Sequence, residues 1–206
     1  MKKALTLVFF VFLAAVISLP AQDAPASKVV LGVSGGVAMP LNTGLSDNYG
    51  SAFHIGATLN IVLKPNLWLF FDARVHSMGI KSGAYDFPDN ATLSGGGASI
   101  LSVIGGAKYF LTTSGPVHFY VFAGVGLNSE SYKDVTGQWT VVTPYYTQTI
   151  SRTESFDSAA GFGILAGPGV SFALGPKFSI FAELRYASDI GKTMYLPILI
   201  GGQIGL

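Results

Sequence analysis

The stretch Phe178 to Ser188, FSIFAELRYAS, decides how this chain folds. Phe178, Ile180, Ala182, Leu184 and Tyr186 alternate with Ser179, Phe181, Glu183 and Arg185. A β-strand sends successive side chains to opposite faces, so the segment reads as a strand with one apolar side and one charged side. Two architectures accept such a strand. A soluble sandwich buries the apolar face and wets the charged one. A membrane barrel turns the apolar face to lipid and keeps the charges in its lumen.

Similar alternation recurs along the chain. The expected strands are Lys28–Met39, Ala52–Leu63, Leu67–Ser77, Ala98–Leu111, Val117–Asn128, Ser158–Phe172, Phe178–Ser188 and Met194–Leu206. In the second, Phe53, Ile55, Ala57, Leu59 and Ile61 share a face opposite His54, Gly56, Thr58 and Asn60. In the fourth, Leu101, Val103, Ala107 and Tyr109 are read as outward, and Ser102, Gly106 and Lys108 as inward. Lys64-Pro65-Asn66, Thr112 to Pro116 and Gly175-Pro176-Lys177 are tight turns.

Three features favour the membrane solution. Eight strands of about ten residues match the length that crosses a bilayer when tilted. Every charge within a strand body, namely Asp72, Arg74, Lys108, Glu183 and Arg185, falls on the face opposite the apolar one; on a lipid face each basic residue would cost about 2–4 kcal/mol at the midplane. Short connections after the second, fourth and sixth strands alternate with mostly longer ones, as in outer-membrane barrels.

Composition agrees. Of 206 residues, 50% are hydrophobic and 11% charged, with 26 Gly and 13% aromatic, against a usual charged share of about 25%. With no Cys, disulfides, thiolate metal sites and Cys nucleophiles are excluded. Lys2 and Lys3, the apolar run Ala4–Leu19 and Pro20 read as a secretory signal peptide. Its expected extent is residues 1–21, with cleavage as late as residue 26, leaving a barrel domain over 22–206. Without those two lysines, the 12 basic residues fall to ten against 11 acidic ones, a net charge of −1. This gives no case for a nucleic-acid partner.

From about Lys28 to Leu206 the chain resembles the small eight-stranded outer-membrane barrels: the OmpA-type transmembrane domain and the outer-membrane β-barrel domain family. The resemblance is carried by the signal peptide, the strand count, Phe181-Ala182-Glu183-Leu184-Arg185-Tyr186, the Gly124-Val125-Gly126 strand and the final strand at the C-terminus. Many such barrels end in an aromatic residue; this chain ends in Leu206. The resemblance implies an all-β, transmembrane, antiparallel up-and-down barrel of eight strands in a bacterial outer membrane. No peptidoglycan-binding domain follows the barrel in this sequence, so an anchoring role is not implied.

The inward charges Asp72, Arg74, Lys108, Glu183 and Arg185 form the first candidate site. The third and seventh strands lie on opposite walls, and the dyads Asp72/Arg74 and Glu183/Arg185 stand at matching heights. They are expected to meet as a salt-bridge network that plugs the lumen or gates it. Pairing around Pro65 sets Arg74 opposite Gly56 and His54 opposite His76. Pairing around Pro176 sets Arg185 opposite Gly167 and Glu183 opposite Gly169. His54, His76 and His118 are expected to be lumen histidines. Two of them could hold a divalent ion, but no third ligand is evident, and no metal or cofactor is expected. Some barrels of this kind modify lipid A with Ser, His and an acid. Here His76 precedes Ser77 without an orienting third residue, so no enzyme is expected.

The loops form the second candidate site. Asp47, Asp86, Asp89, Glu130, Asp134, Glu154, Asp157 and Asp189 outnumber Lys81, Lys133, Arg152 and Lys192 by four. Gln138–Ile150, QWTVVTPYYTQTI, with Trp139, Tyr145 and Tyr146, reads as a hairpin extending the fifth and sixth strands. The expected partners are outer-membrane lipid and, through the loops, an extracellular surface or protein. The expected function is structural or adhesive and non-enzymatic. A narrow channel is the alternative; a soluble lipocalin-like carrier and a lipid A-modifying enzyme are further readings.

Overall fold

A computed structural model describes residues 28–41, 43–81, 87–88, 90–155, 157–189 and 194–206. The expected signal peptide and the loop charges Asp86, Asp89 and Lys192 lie outside the described residues. The elements are β1 (Val29–Pro40), α1 (Thr43–Asn48), β2 (Tyr49–Lys64), β3 (Leu67–Ile80), β4 (Thr92–Gly95), β5 (Ala98–Phe110) and β6 (Val117–Tyr132). They continue as β7 (Val135–Val142), β8 (Thr147–Glu154), β9 (Ala159–Ala173), β10 (Phe178–Leu184), β11 (Tyr186–Asp189) and β12 (Met194–Gly205).

Each wall strand pairs antiparallel with the next, in the order β1, β2, β3, β5, β6, β9, β10 with β11, and β12. β12 then pairs with β1 from Val30↔Gly205 to Pro40↔Tyr195, closing an eight-stranded barrel. Closure gives the edge backbone groups the partners that lipid cannot supply.

The alternation decides the faces. Phe53 is 76% exposed and Ile55 71%, whereas their neighbour His54 is buried. Asp72, Arg74, Lys108, Glu183 and Arg185 are all buried inside. This is the inverse of a soluble carrier, which would hold its apolar residues inside, and it excludes the lipocalin-like reading.

The seventh wall strand is interrupted at Arg185. The Arg185 N–H donates to the carbonyl of Pro197 at 2.8 Å, but Pro197 has no N–H to return the bond. In the β9 register Leu184 falls opposite a second proline, Pro168. Two adjacent residues thus each face a residue without a ladder donor. Beyond the gap, β11 resumes in the same register, with Ala187 facing Tyr195.

Several strands run further than expected toward the end that carries the long connections. β2 begins at Tyr49, ahead of the expected start at Ala52, after a short helix that follows β1. β6 runs to Tyr132, past the expected end at Asn128, and β11 to Asp189, one residue past Ser188. The hairpin is present as β7 and β8, and β4 joins it in a three-stranded sheet ordered β4-β7-β8. The register carries through from the barrel wall. Ala98 faces Tyr132 in β5–β6, and three residues further along each strand Gly95 faces Val135 in β4–β7. Likewise Glu130 faces Ala159 in β6–β9, and Val135 faces Glu154 in β7–β8. The sheet is therefore the wall of β5, β6 and β9 continued past a kink. Gly95, Gly96 and Gly97 make that kink with φ of 76°, 76° and 124°, a backbone that glycine adopts without the strain a side chain brings.

Candidate functional site

The lumen is filled layer by layer. Midway along it, Lys108 Nζ donates to Glu183 Oε1 at 2.8 Å, and the Tyr120 hydroxyl donates to the same oxygen at 2.8 Å. The Lys108 ammonium also lies 5.2–6.0 Å from the ring centres of Tyr120, Phe181, Phe70 and Phe122, a cation–π cage. These rings fit because glycines face them. A Cβ on Gly169 would sit 2.4 Å from the Tyr120 ring, and one on Gly124 2.9 Å from Phe70.

Beside this layer the two dyads meet. Arg74 Nη2 lies 2.9 Å from Asp72 Oδ2. Arg185 lies 2.5 Å from Glu183 and 3.1 Å from Asp72, bridging strands on opposite walls. Thr58 donates to Asp72 at 2.8 Å, and Arg74 to Ser34 Oγ at 3.1 Å. Arg74 faces Gly56 and Glu183 faces Gly169; these glycines leave room for long side chains. All five charged groups are nearly dry, at 2–4% exposure. At that burial an ion pair is tolerated only with full hydrogen bonding, which the network largely supplies.

The next layer holds His54 and His76, opposite each other in the β2–β3 register. Their rings meet edge-on with centroids 5.1 Å apart, and Tyr195 stands 4.8 Å from His76. The Tyr195 hydroxyl lies 3.3 Å from Ser102 Oγ. Among the described residues no group of three His, Cys, Asp or Glu side chains converges as a metal site. His118 is not with the pair. It sits at the turn end of β6, with Nδ1 3.1 Å from the carbonyl of Thr112. Ser77 is exposed outward while its neighbour His76 points inward, so the two do not form a dyad.

Glu130 corrects the sequence reading. It is not an exposed loop acid. It lies on β6, 4% exposed, and accepts a 2.5 Å bond from the Tyr132 hydroxyl. Nothing in the alternation announces that β6 runs on past Asn128 to Tyr132. Tyr195, Thr58 and Ser34 join the lumen network without having stood out as site residues, although the parity of their positions marks each as inward.

Outside the lumen, the β4-β7-β8 sheet has two unlike faces. One carries Trp139 and Ile150, which oppose each other across the β7–β8 ladder. Trp139 is half-buried, its ring 6.3 Å from Phe87. Arg152 and Glu154 form an ion pair at the base of β8. The opposite face is uncharged and mostly hydroxylic. Thr136 Oγ1 lies 3.0 Å from Thr153 Oγ1, and Thr140 3.5 Å from Thr149. At the tip, Tyr145 is 94% exposed and Tyr146 57%. The Thr143 N–H donates to the Tyr146 carbonyl at 2.8 Å. In an antiparallel ladder bonded pairs alternate with unbonded ones, so Thr147, Thr149, Ser151 and Thr153 aim their backbone groups away from β7. β8 is the terminal strand of this sheet, and among the described residues those groups form a free edge.

Known proteins place this architecture. No curated protein sequence matches the chain. The Neisserial surface protein A structure is similar, with 19% identity, 90% of this chain and 100% of that chain covered, and a TM-score of 0.54. Ail, the attachment invasion locus protein of Yersinia pestis, is 12% identical, with 87% and 99% covered and a TM-score of 0.54. A major outer membrane protein from Thermus thermophilus is 12% identical, with 88% and 100% covered and a TM-score of 0.51. At these identities the likeness is one of fold. The family model described as outer membrane protein beta-barrel domain matches residues 9–203. With its closed barrel, apolar exterior and charged lumen, the chain belongs to the outer membrane protein β-barrel domain family and is a protein of the bacterial outer membrane.

Proposed function

We propose that this protein is a non-enzymatic outer-membrane barrel that recognises an extracellular surface or protein through the β4-β7-β8 sheet, the end bearing that sheet being the external one. The observation that carries the reading is the unbroken register from the wall into the sheet. A rigid membrane barrel thereby holds out a three-stranded platform whose last strand keeps a free edge. Natural edges are commonly blunted by lysines, prolines or bulges. β8, TQTISRTE, has no Lys or Pro, and its Arg152 is engaged by Glu154. Such an edge suits capture of an extended segment by strand addition, where backbone bonds give affinity and side-chain contacts give selectivity. Tyr145 and Tyr146 add exposed aromatic surface of the kind that dominates recognition sites.

The layers of paired charges and packed rings that cross the lumen weigh against conduction as the main activity. One protein of similar fold, Ail, bears the name attachment invasion locus protein, but at 12% identity the support comes from the sheet itself. The test is deletion of Trp139–Thr149. Cells displaying the shortened protein should lose adhesion to host-cell or matrix surfaces, while its heat-shifted gel mobility shows a folded barrel. Undiminished adhesion would end this reading.

A further inference from the structure

The lumen is not filled to its turn end. Between the turns a cup of about 200 Å³ opens inward, walled by Trp68, Phe110, His118, Ser171, Lys177 and Gln203 among others. A dry cavity of about 150 Å³ is enough to take benzene, so this cup has space for one ring and a substituent. Its chemistry is one-sided. Trp68 and Phe110 meet with ring centroids 4.5 Å apart and planes tilted by 47°, and together form an aromatic wall. Among the described lining residues, Lys177 is the only lysine, arginine or acidic side chain. The remaining polar groups are uncharged or imidazole: Gln203 donates to Ser179 at 2.9 Å, and His118 Nδ1 is held by Thr112. Lys28 and Lys64 are also exposed at the same end. The Lys108 layer lies deeper, with its charge matched by Glu183, and it closes the cup from the loop end.

We propose that this cup is a binding site for a small carboxylate carrying a ring-sized apolar body, entered from the turn end of the barrel. The ring lies against Trp68 and Phe110, and the carboxylate meets Lys177 at the mouth. The site is separate from the sheet at the other end and is independent of the adhesive reading.

The protein has two tryptophans, Trp68 and Trp139, so Trp139→Phe leaves Trp68 as the sole reporter. In the refolded, detergent-solubilised variant, 4-nitrobenzoate should quench Trp68 fluorescence saturably. The neutral isostere 4-nitrobenzyl alcohol should bind at least fivefold more weakly. Adding Lys177→Ala, at an exposed turn position, should weaken the anion at least fivefold and leave the alcohol unchanged. Raising salt should weaken only the anion. Linear, unsaturable quenching would overturn the proposal, since it reports collision rather than a site. Equal binding of acid and alcohol, or no effect of Lys177→Ala, would overturn the assignment to a carboxylate. Heat-shifted mobility confirms that each variant is folded before titration.

Discussion

The barrel wall of β5, β6 and β9 and the β4-β7-β8 sheet that continues it share one register, yet they are opposite in kind. Inside the barrel the faces that meet are charged and aromatic, each charge is matched at 2.5–3.2 Å, and almost nothing is exposed. Beyond the kink at Gly95–Gly97, β7 and β8 present threonines, an outer edge and two exposed tyrosines at their tip. The difference teaches that register is indifferent to solvent. What changes is the medium on either side of the sheet, and the residues follow it. In the lumen an unmatched charge is expensive, so the side chains lock together. Outside, water satisfies any group, so the side chains are free to serve a partner.

The contrast can be broken first at its most buried point. Glu183 accepts from Lys108, Tyr120 and Arg185. Glu183→Ala should destabilise the barrel by about 3–5 kcal/mol, because two cations lose a buried partner. Urea titration read by gel mobility checks it, and an unchanged midpoint would mean that the network contributes little. Planar-bilayer recording adds a second readout: the parent should show no discrete conductance steps. Steps in the parent would favour the narrow channel instead.

A smaller effect is expected at the glycines. Gly169→Ala places a Cβ 2.4 Å from the Tyr120 ring, and overpacking of this kind costs about 1–3 kcal/mol. The same change at Gly161, where no atom lies within 4 Å, should leave the unfolding midpoint in place. Equal behaviour of the two variants would show that Tyr120 moves aside easily.

The smallest stability effect belongs to the outer sheet. Ser151→Pro removes one donor from the free edge of β8 without touching a β7–β8 bond, so stability should stay within about 0.5 kcal/mol. Adhesion should nevertheless fall at least tenfold if a partner adds as a strand, because proline cannot donate to the new ladder. Full adhesion would point to the threonine face or the tyrosine tip instead.

Much of this was legible in the alternation. The inward parity of Asp72, Arg74, Lys108, Glu183 and Arg185, and the facing of His54 and His76 around Pro65, follow from period two and a tight turn. Glu130 and β4 were not legible. A strand that outruns the bilayer carries no lipid-facing signature in its extension, and Thr92–Gly95 is too short and polar to stand out among loop residues. The half-burial of Trp139 was equally hidden, since it depends on Phe87, distant in sequence.

By itself, the sequence determined which face of each strand meets lipid, where the turns fall, and that the strands are numerous and long enough to close a membrane barrel. Those are properties of neighbouring residues, set by alternation and turn chemistry. Matching heights on the third and seventh strands already brought the two dyads together, as Arg185 on Asp72; only the tertiary structure decided what else meets across the lumen: Lys108 and Tyr120 on Glu183, Tyr195 on His76. These further contacts depend on the tilt and stagger that closure imposes on all eight strands together, which the alternation within one strand does not encode.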